Sequence, residues 1–214
     1  MMAATNQLQP RHTYHHGDLR QALLDAGVAL ARAGGPEAVV LREATRRAGV
    51  VPNAAYRHFG SRQALLQSVR ASALAALAVA MEKELRRQQR GRYAADAARA
   101  GLRAIGTAYL RFARTEPGLF RTAFAVPGEA ETTADPAMAG GSGLNPFQLL
   151  SAALDGLVEA GSLPTERRAG AEYLAWSAVH GLAMLVLEGP LRRLTGAQSR
   201  AIEQRLLAMV EQGL

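Results

Sequence analysis

The side chains able to do chemistry in this chain are few and scattered. Among 214 residues there is no cysteine, which excludes disulfide frameworks, thiolate catalysis and cysteine-ligated zinc. Of the five histidines, His12, His15 and His16 stand close enough to suggest a metal tract. No second half of a ligand set follows and carboxylates are sparse there, so they read as a basic arm rather than a metal site. Asp155, Glu159 and Glu172 are the obvious carboxylates of the second half, without a partner in a catalytic pattern, and no glycine-rich phosphate loop follows a strand. Neither catalysis nor a cofactor finds support, and a protein that is not an enzyme is expected. Trp176 and His180 lie four apart, on one face of any helix. They are expected to line an effector cavity or to sit in the core, with Tyr109, Phe112, Phe120, Phe124 and Met184 as candidates for the same apolar lining. Asn53, Tyr56, Arg57 and His58 form a compact polar group able to hydrogen-bond an anionic partner.

Charge narrows the partner. The formal net charge is +7, and it is unevenly spread. Residues 1–70 hold nine arginines against four acids, so most of the surplus lies in the first third. An electropositive N-terminal unit implies a polyanion, nucleic acid first and an anionic membrane second. Lys83 is the sole lysine; arginine suits planar, bidentate contact with phosphate and guanine. The longest nearly uncharged apolar run, 174–187, is shorter than the roughly 20 residues a bilayer requires. Residues 1–16 lack the apolar core of a secretory signal. No membrane partner and a soluble, cytoplasmic protein are expected.

These groups must be carried by helices. The chain is alanine-rich, and no alternation is long enough for a strand. A first helix should start near Asp18, carry Leu19, Leu23, Ala26 and Leu30 on one face, and end at Gly34-Gly35-Pro36. Leu41 to Ala48 forms a short second helix, broken by Gly49. A third runs from Pro52 to about Phe59, Pro52 being harmless at the first helical position. Ser61 can cap a long fourth helix bearing Leu65, Leu66, Val69, Ala73, Leu77 and Met81. Further helices are expected over 93–114, 119–124, 147–160, 166–187 and 197–210, with 126–146 as one strong loop. This makes about nine helices in an all-α fold. A three-helix unit is joined by the long helix to an antiparallel C-terminal bundle, with domains at 16–70 and 71–214.

Two short helices joined by a glycine turn, near 40–59, describe a helix-turn-helix whose second helix enters the DNA major groove. The stretch from His16 to Val69 resembles the DNA-binding domain of TetR-type transcriptional regulators. The resemblance rests on Leu41-Arg42-Glu43-Ala44, Arg46-Arg47-Ala48-Gly49-Val50, Tyr56-Arg57-His58-Phe59 and Ser61-Arg62-Gln63-Ala64-Leu65-Leu66. It implies that Tyr56, His58 and Arg62 contact phosphates, that Arg42 occupies a slot from which some members read guanine, and that Pro52, Asn53 and Ala54 face base edges. Val40 and Val51 depart from the family pattern, standing where Ser or Thr usually caps a helix. A lost cap typically costs ~1 kcal/mol.

The C-terminal part resembles the Trp-His-Gly subset of that family through Glu116-Pro117-Gly118-Leu119-Phe120 and Ala175-Trp176-Ser177-Ala178-Val179-His180-Gly181. This implies a homodimer through the last two helices and a bundle that holds an effector, a small apolar molecule. Helix 173–187 is apolar nearly all round, which independently demands burial on two sides. The expected function is a sequence-specific regulator, a repressor released by ligand from a pseudo-palindromic operator. The alternative is a non-specific architectural DNA-binding protein without effector control.

Overall fold

A computed structural model describes residues 16–88, 94–125 and 135–214. Nine α-helices lie within these residues: α1 His16–Gly34, α2 Leu41–Ala48, α3 Pro52–Tyr56, α4 Arg62–Gln88, α5 Ala94–Thr115, α6 Pro117–Phe124, α7 Pro146–Glu159, α8 Ala171–Leu187 and α9 Gly196–Gly213. Short 3₁₀ turns at Pro36–Ala38, Pro136–Met138, Thr165–Arg167 and Pro190–Arg193 link some of them. No strand occurs among the described residues. The all-α expectation holds. His12 and His15 lie outside the described residues.

Each helix forms where its apolar face finds a partner. α1 turns Leu23, Leu30 and Ala31 inward, α2 adds Leu41 and Ala44, and α4 closes that core with Leu65 and Val69. Further along, the same helix supplies Leu74, Leu77 and Met81 to a second layer packed against α5, α6 and α7. α4 thus belongs to both halves, and its buried residues run through one continuous core. It is the one described helix long and apolar enough to cross a membrane, and 56% of its apolar window is buried within the bundle. Ser61 accepts a hydrogen bond from the Ala64 amide at 3.1 Å, the cap expected of it.

Three expectations are corrected. The third helix ends at Tyr56 rather than Phe59, because the amides of His58 and Phe59 both turn back to the Ala55 carbonyl and Phe59 drops into the core. The helix expected over 166–187 begins at Ala171, since Gly170 takes a left-handed φ of 77° that ends the preceding turn. The loop expected over 126–146 is interrupted by the 3₁₀ turn Pro136–Met138 and gives way to α7 at Pro146. Residues 126–134 lie outside the described residues, but 140–142 wrap the buried Glu82 carboxylate of α4, which accepts from the amides of Gly141 and Ser142 at 3.0 and 2.8 Å and from the Ser142 hydroxyl at 2.6 Å. A β-carbon on Gly140 would lie 2.4 Å from that carboxylate, so a larger residue there would have to displace it.

Candidate nucleic-acid interface and effector cavity

The N-terminal site is built from α2 and α3. Gly49, at φ 68°, ends α2 in the left-handed conformation, and the amide of Val50 bonds the Thr45 carbonyl at 3.1 Å. This turn sets α3 across α2 as a helix-turn-helix. Ala55 is fully buried and Phe59 nearly so, pinning α3 by one face. The opposite face presents Asn53, Tyr56 and Arg57 to solvent, with Ala54 and His58 half-buried beside them. Pro52 occupies the first helical position. Val40 and Val51 stand at the N-caps of α2 and α3, and neither makes a side-chain cap bond.

Charge on this surface is selectively committed. Glu43 pairs with Arg46 at 2.6 Å and Arg47 at 3.8 Å, and the hydrogen bond from Arg46 holds the Glu43 carboxyl below its usual value. Arg42 and Arg57 are exposed and form no ion pair among the described residues. Arg62 is placed differently from its neighbours. Its guanidinium donates to the carbonyls of Val39 and Pro36, both at 2.8 Å, fastening the chain before α2 to the start of α4. Arg20 of α1 was not singled out by the sequence; its guanidinium carbon lies 5.1 Å from the Phe59 ring centre. The i-to-i+39 separation of that pair left no signal in a linear reading.

The C-terminal site is a cavity of about 50 Å³ lined by α4, α5, α6, α7, α8 and α9. Tyr109, Phe124 and Trp176, three of the expected lining residues, reach it, together with Phe147, Met138 and Leu207, among others. Phe112, Phe120, His180 and Met184 do not. Phe112 and Phe120 are buried in the core, and Met184 packs against it. His180 sits with its ring 5.8 Å from Phe120 and 5.0 Å from Phe124, and its Nδ1 is 2.7 Å from the Tyr109 hydroxyl. The Tyr109 oxygen also accepts from Trp176 Nε1 at 3.2 Å. Burial lowers the His180 pKa and so favours the neutral ring, and the tautomer it adopts sets which of His180 and Tyr109 donates in their hydrogen bond. Helical spacing had placed Trp176 and His180 on one face but could not assign their depth.

A face of α2 and α3 anchored by Ala55, with polar side chains outward, defines a helix-turn-helix DNA-binding protein. Residues 23–69 match the bacterial regulatory proteins of the tetR family, and residues 102–210 match the tetracyclin repressor-like C-terminal domain. The chain belongs to the TetR family and is a DNA-binding transcriptional regulator. Among solved structures, a protein of unknown function from Rhodococcus sp. RHA1 is 25% identical with a TM-score of 0.72, covering 95% of this chain and 99% of its own. A TetR-family regulator from Pectobacterium atrosepticum is 19% identical at a TM-score of 0.62, covering 95% and 96%. The regulator FadR of Bacillus subtilis, in complex with stearoyl-CoA, is 12% identical at a TM-score of 0.62, covering 91% and 98%. No curated protein matches the chain in sequence.

Proposed function

We propose that the protein is a homodimeric repressor that a small, largely apolar ligand releases from a pseudo-palindromic operator. Residues 16–70 are its DNA-reading module and 71–214 its effector and dimerisation module, the boundary falling inside α4. Each α3 enters a major groove. Asn53, with Pro52 and Ala54, faces base edges, while Arg42, Tyr56 and His58 address the flanking phosphates and guanine. The observation that carries this reading is the orientation of α3, with Ala55 inward and Asn53 and Tyr56 outward. Arg62 acts by positioning, holding the approach to α2 in register.

Dimerisation is supported by α8 and α9. Tyr173, Leu174, Leu185 and Met209 are between 44% and 64% exposed in the single chain, an apolar surface that a second copy would cover. Control by ligand is supported by what the cavity touches. At about 50 Å³ it is far smaller than the ~300–1,000 Å³ of ordinary ligand pockets, so an occupant must part its walls. Phe124 of α6 is one of them. The other side of α6 is seated on α1: a β-carbon on Gly118 would lie 2.2 Å from the Ala31 carbonyl oxygen, and Glu116 pairs with Arg32 at 2.7 Å. Displacing α6 therefore moves the support of the DNA module. A ligand acts only to the extent that it prefers one arrangement over the other.

A competition gel with genomic fragments against random duplex at fixed salt tests the reading. Preferential retention of particular fragments, as a dimer, is expected; equal competition by random duplex would instead mark an architectural DNA-binding protein.

A further inference from the structure

We infer that the ligand is an amphiphile with an anionic head, held by Arg103 at the mouth of the cavity; this rests on the ligand-controlled reading above. Arg103 of α5 and Glu211 of α9 line the cavity on one side. On the other they line a wider polar cleft, and they are the two residues common to both walls. The guanidinium meets the carboxylate fork on fork, Nε donating to Oε1 at 2.6 Å and Nη2 donating to Oε2. Behind the pair the same two helices turn apolar, through Leu102, Ile105, Leu207 and Val210. An apolar bore thus ends at a single ion pair facing a solvated vestibule. That succession of surfaces matches a molecule with an apolar tail and a charged end.

The sign of the charge follows from the vestibule. Its side chains include Arg99, Arg103 and Arg167 against Asp96 and Glu211. Arg99 is exposed and makes no ion pair among the described residues. Arg167 donates to the backbone carbonyl of Gly213 at 2.6 Å, and its charge has no carboxylate partner among the described residues. Within the central pair the Arg103 side chain is 54% exposed and that of Glu211 only 12%. A head arriving through the cleft meets guanidinium before it meets carboxylate. Arginine's planar fork also fits a carboxylate or phosphate in a way that a second cation cannot fit a carboxylate already gripped on both oxygens. When the ligand's anion replaces Glu211 on the guanidinium, the displaced carboxylate turns to the solvated cleft it also lines, and the tail gains apolar burial.

Octanoate, 1-octanol and octylammonium share a tail and differ in the head. Their binding to the intact protein at pH 7 can be followed by the fluorescence of Trp176, the only tryptophan, and by calorimetry. Octanoate is expected to bind about tenfold more tightly than 1-octanol, with octylammonium weakest. Arg103→Gln should bring octanoate down to the level of 1-octanol. Glu211→Gln breaks the same pair yet should tighten octanoate several-fold, an opposite sign that mere loosening of the mouth cannot produce. Equal binding of octanoate and 1-octanol, both variants shifting octanoate the same way, or octylammonium binding tightest would overturn the anionic head and leave the cavity reading standing. If none of the three binds, the cavity reading falls and takes this inference with it.

Discussion

Asn53 of α3 and Arg57, the residue that caps it, are both exposed, yet they should fail differently when removed. An amide facing base edges discriminates among sequences, so Asn53→Ala should narrow the affinity gap between operator and random duplex by about tenfold, some 1–3 kcal/mol, with non-specific binding nearly unchanged. Arg57 has no carboxylate partner among the described residues, and its charge is free for phosphate. Arg57→Ala should weaken all sequences alike and lower the slope of log affinity against log salt by about one. A loss of discrimination in Arg57→Ala, or a changed salt slope in Asn53→Ala, would reverse the assignments. Arg62→Ala should lose about 1 kcal/mol of stability by urea denaturation, because the Val39 carbonyl loses its guanidinium donor and the Pro36 carbonyl keeps only the Val39 amide. Here the limit of a linear reading is plain. Residue type and the family resemblance pointed to Asn53, Tyr56 and His58, whereas the inward seating of Ala55 came only with the fold. Where Arg62 spends its donors depended on the fold of 36–39, a 3₁₀ turn with no periodicity to announce it.

The helices are joined by contacts whose cost is set by backbone proximity and buried charge. Gly118 brings α6 against the last turn of α1 so closely that a β-carbon would meet the Ala31 carbonyl oxygen at 2.2 Å and that of Arg32 at 2.6 Å. Neither atom can rotate away. Gly118→Ala should therefore push α6 off α1 and cost about 1–3 kcal/mol, visible as a lowered urea midpoint, despite alanine's better helix propensity. An unchanged or raised midpoint would show that the seat is looser than this. Glu84 of α4 is almost wholly buried, and hydrogen bonds from Arg87 first, then Gln88 and Arg111 of α5, bring its pKa down to about 2 from 4.5. The folded state thus holds this proton less tightly than the unfolded chain. The stabilisation is complete above about pH 4.5 and is lost as pH falls toward 2. Glu84→Gln should flatten the acid limb of the stability curve between those values; an unaltered limb would mean other carboxylates govern it. The existence and order of the helices were legible because alanine, apolar spacing and Gly or Pro punctuation agreed along the chain. Their ends were less so. Gly170 and the seating of 140–142 on Glu82 are decided by tertiary contacts and a left-handed φ, which a window of sequence does not contain.

At the scale of the molecule, in the proposed dimer, the exposed face of α8 decides whether two reading helices act together. Leu174 is 64% exposed and Tyr173 56%, so neither contributes much to the fold of one chain. In the proposed dimer an apolar surface of that kind, on a helix whose other side already packs against α5, α7 and α9, is covered by its symmetry mate. Placing a carboxylate at its centre leaves the protomer intact but forces an unpaired charge into the interface, a cost of several kcal/mol. Leu174→Glu should retain the helical content and urea midpoint of the protomer while shifting the light-scattering mass toward the single-chain 22.7 kDa. The consequence for DNA is larger than the change in mass. In the proposed dimer, two α3 helices set about one helical turn apart, roughly 34 Å, would bind a pseudo-palindrome as one event. Separated, each has only its own half-site and gains nothing from the other's attachment. Affinity for a full operator should then collapse to that for a half-site, and the preference for half-site spacing should vanish. A Leu174→Glu protein that remained dimeric and kept its spacing preference would place the twofold axis on another face of the bundle.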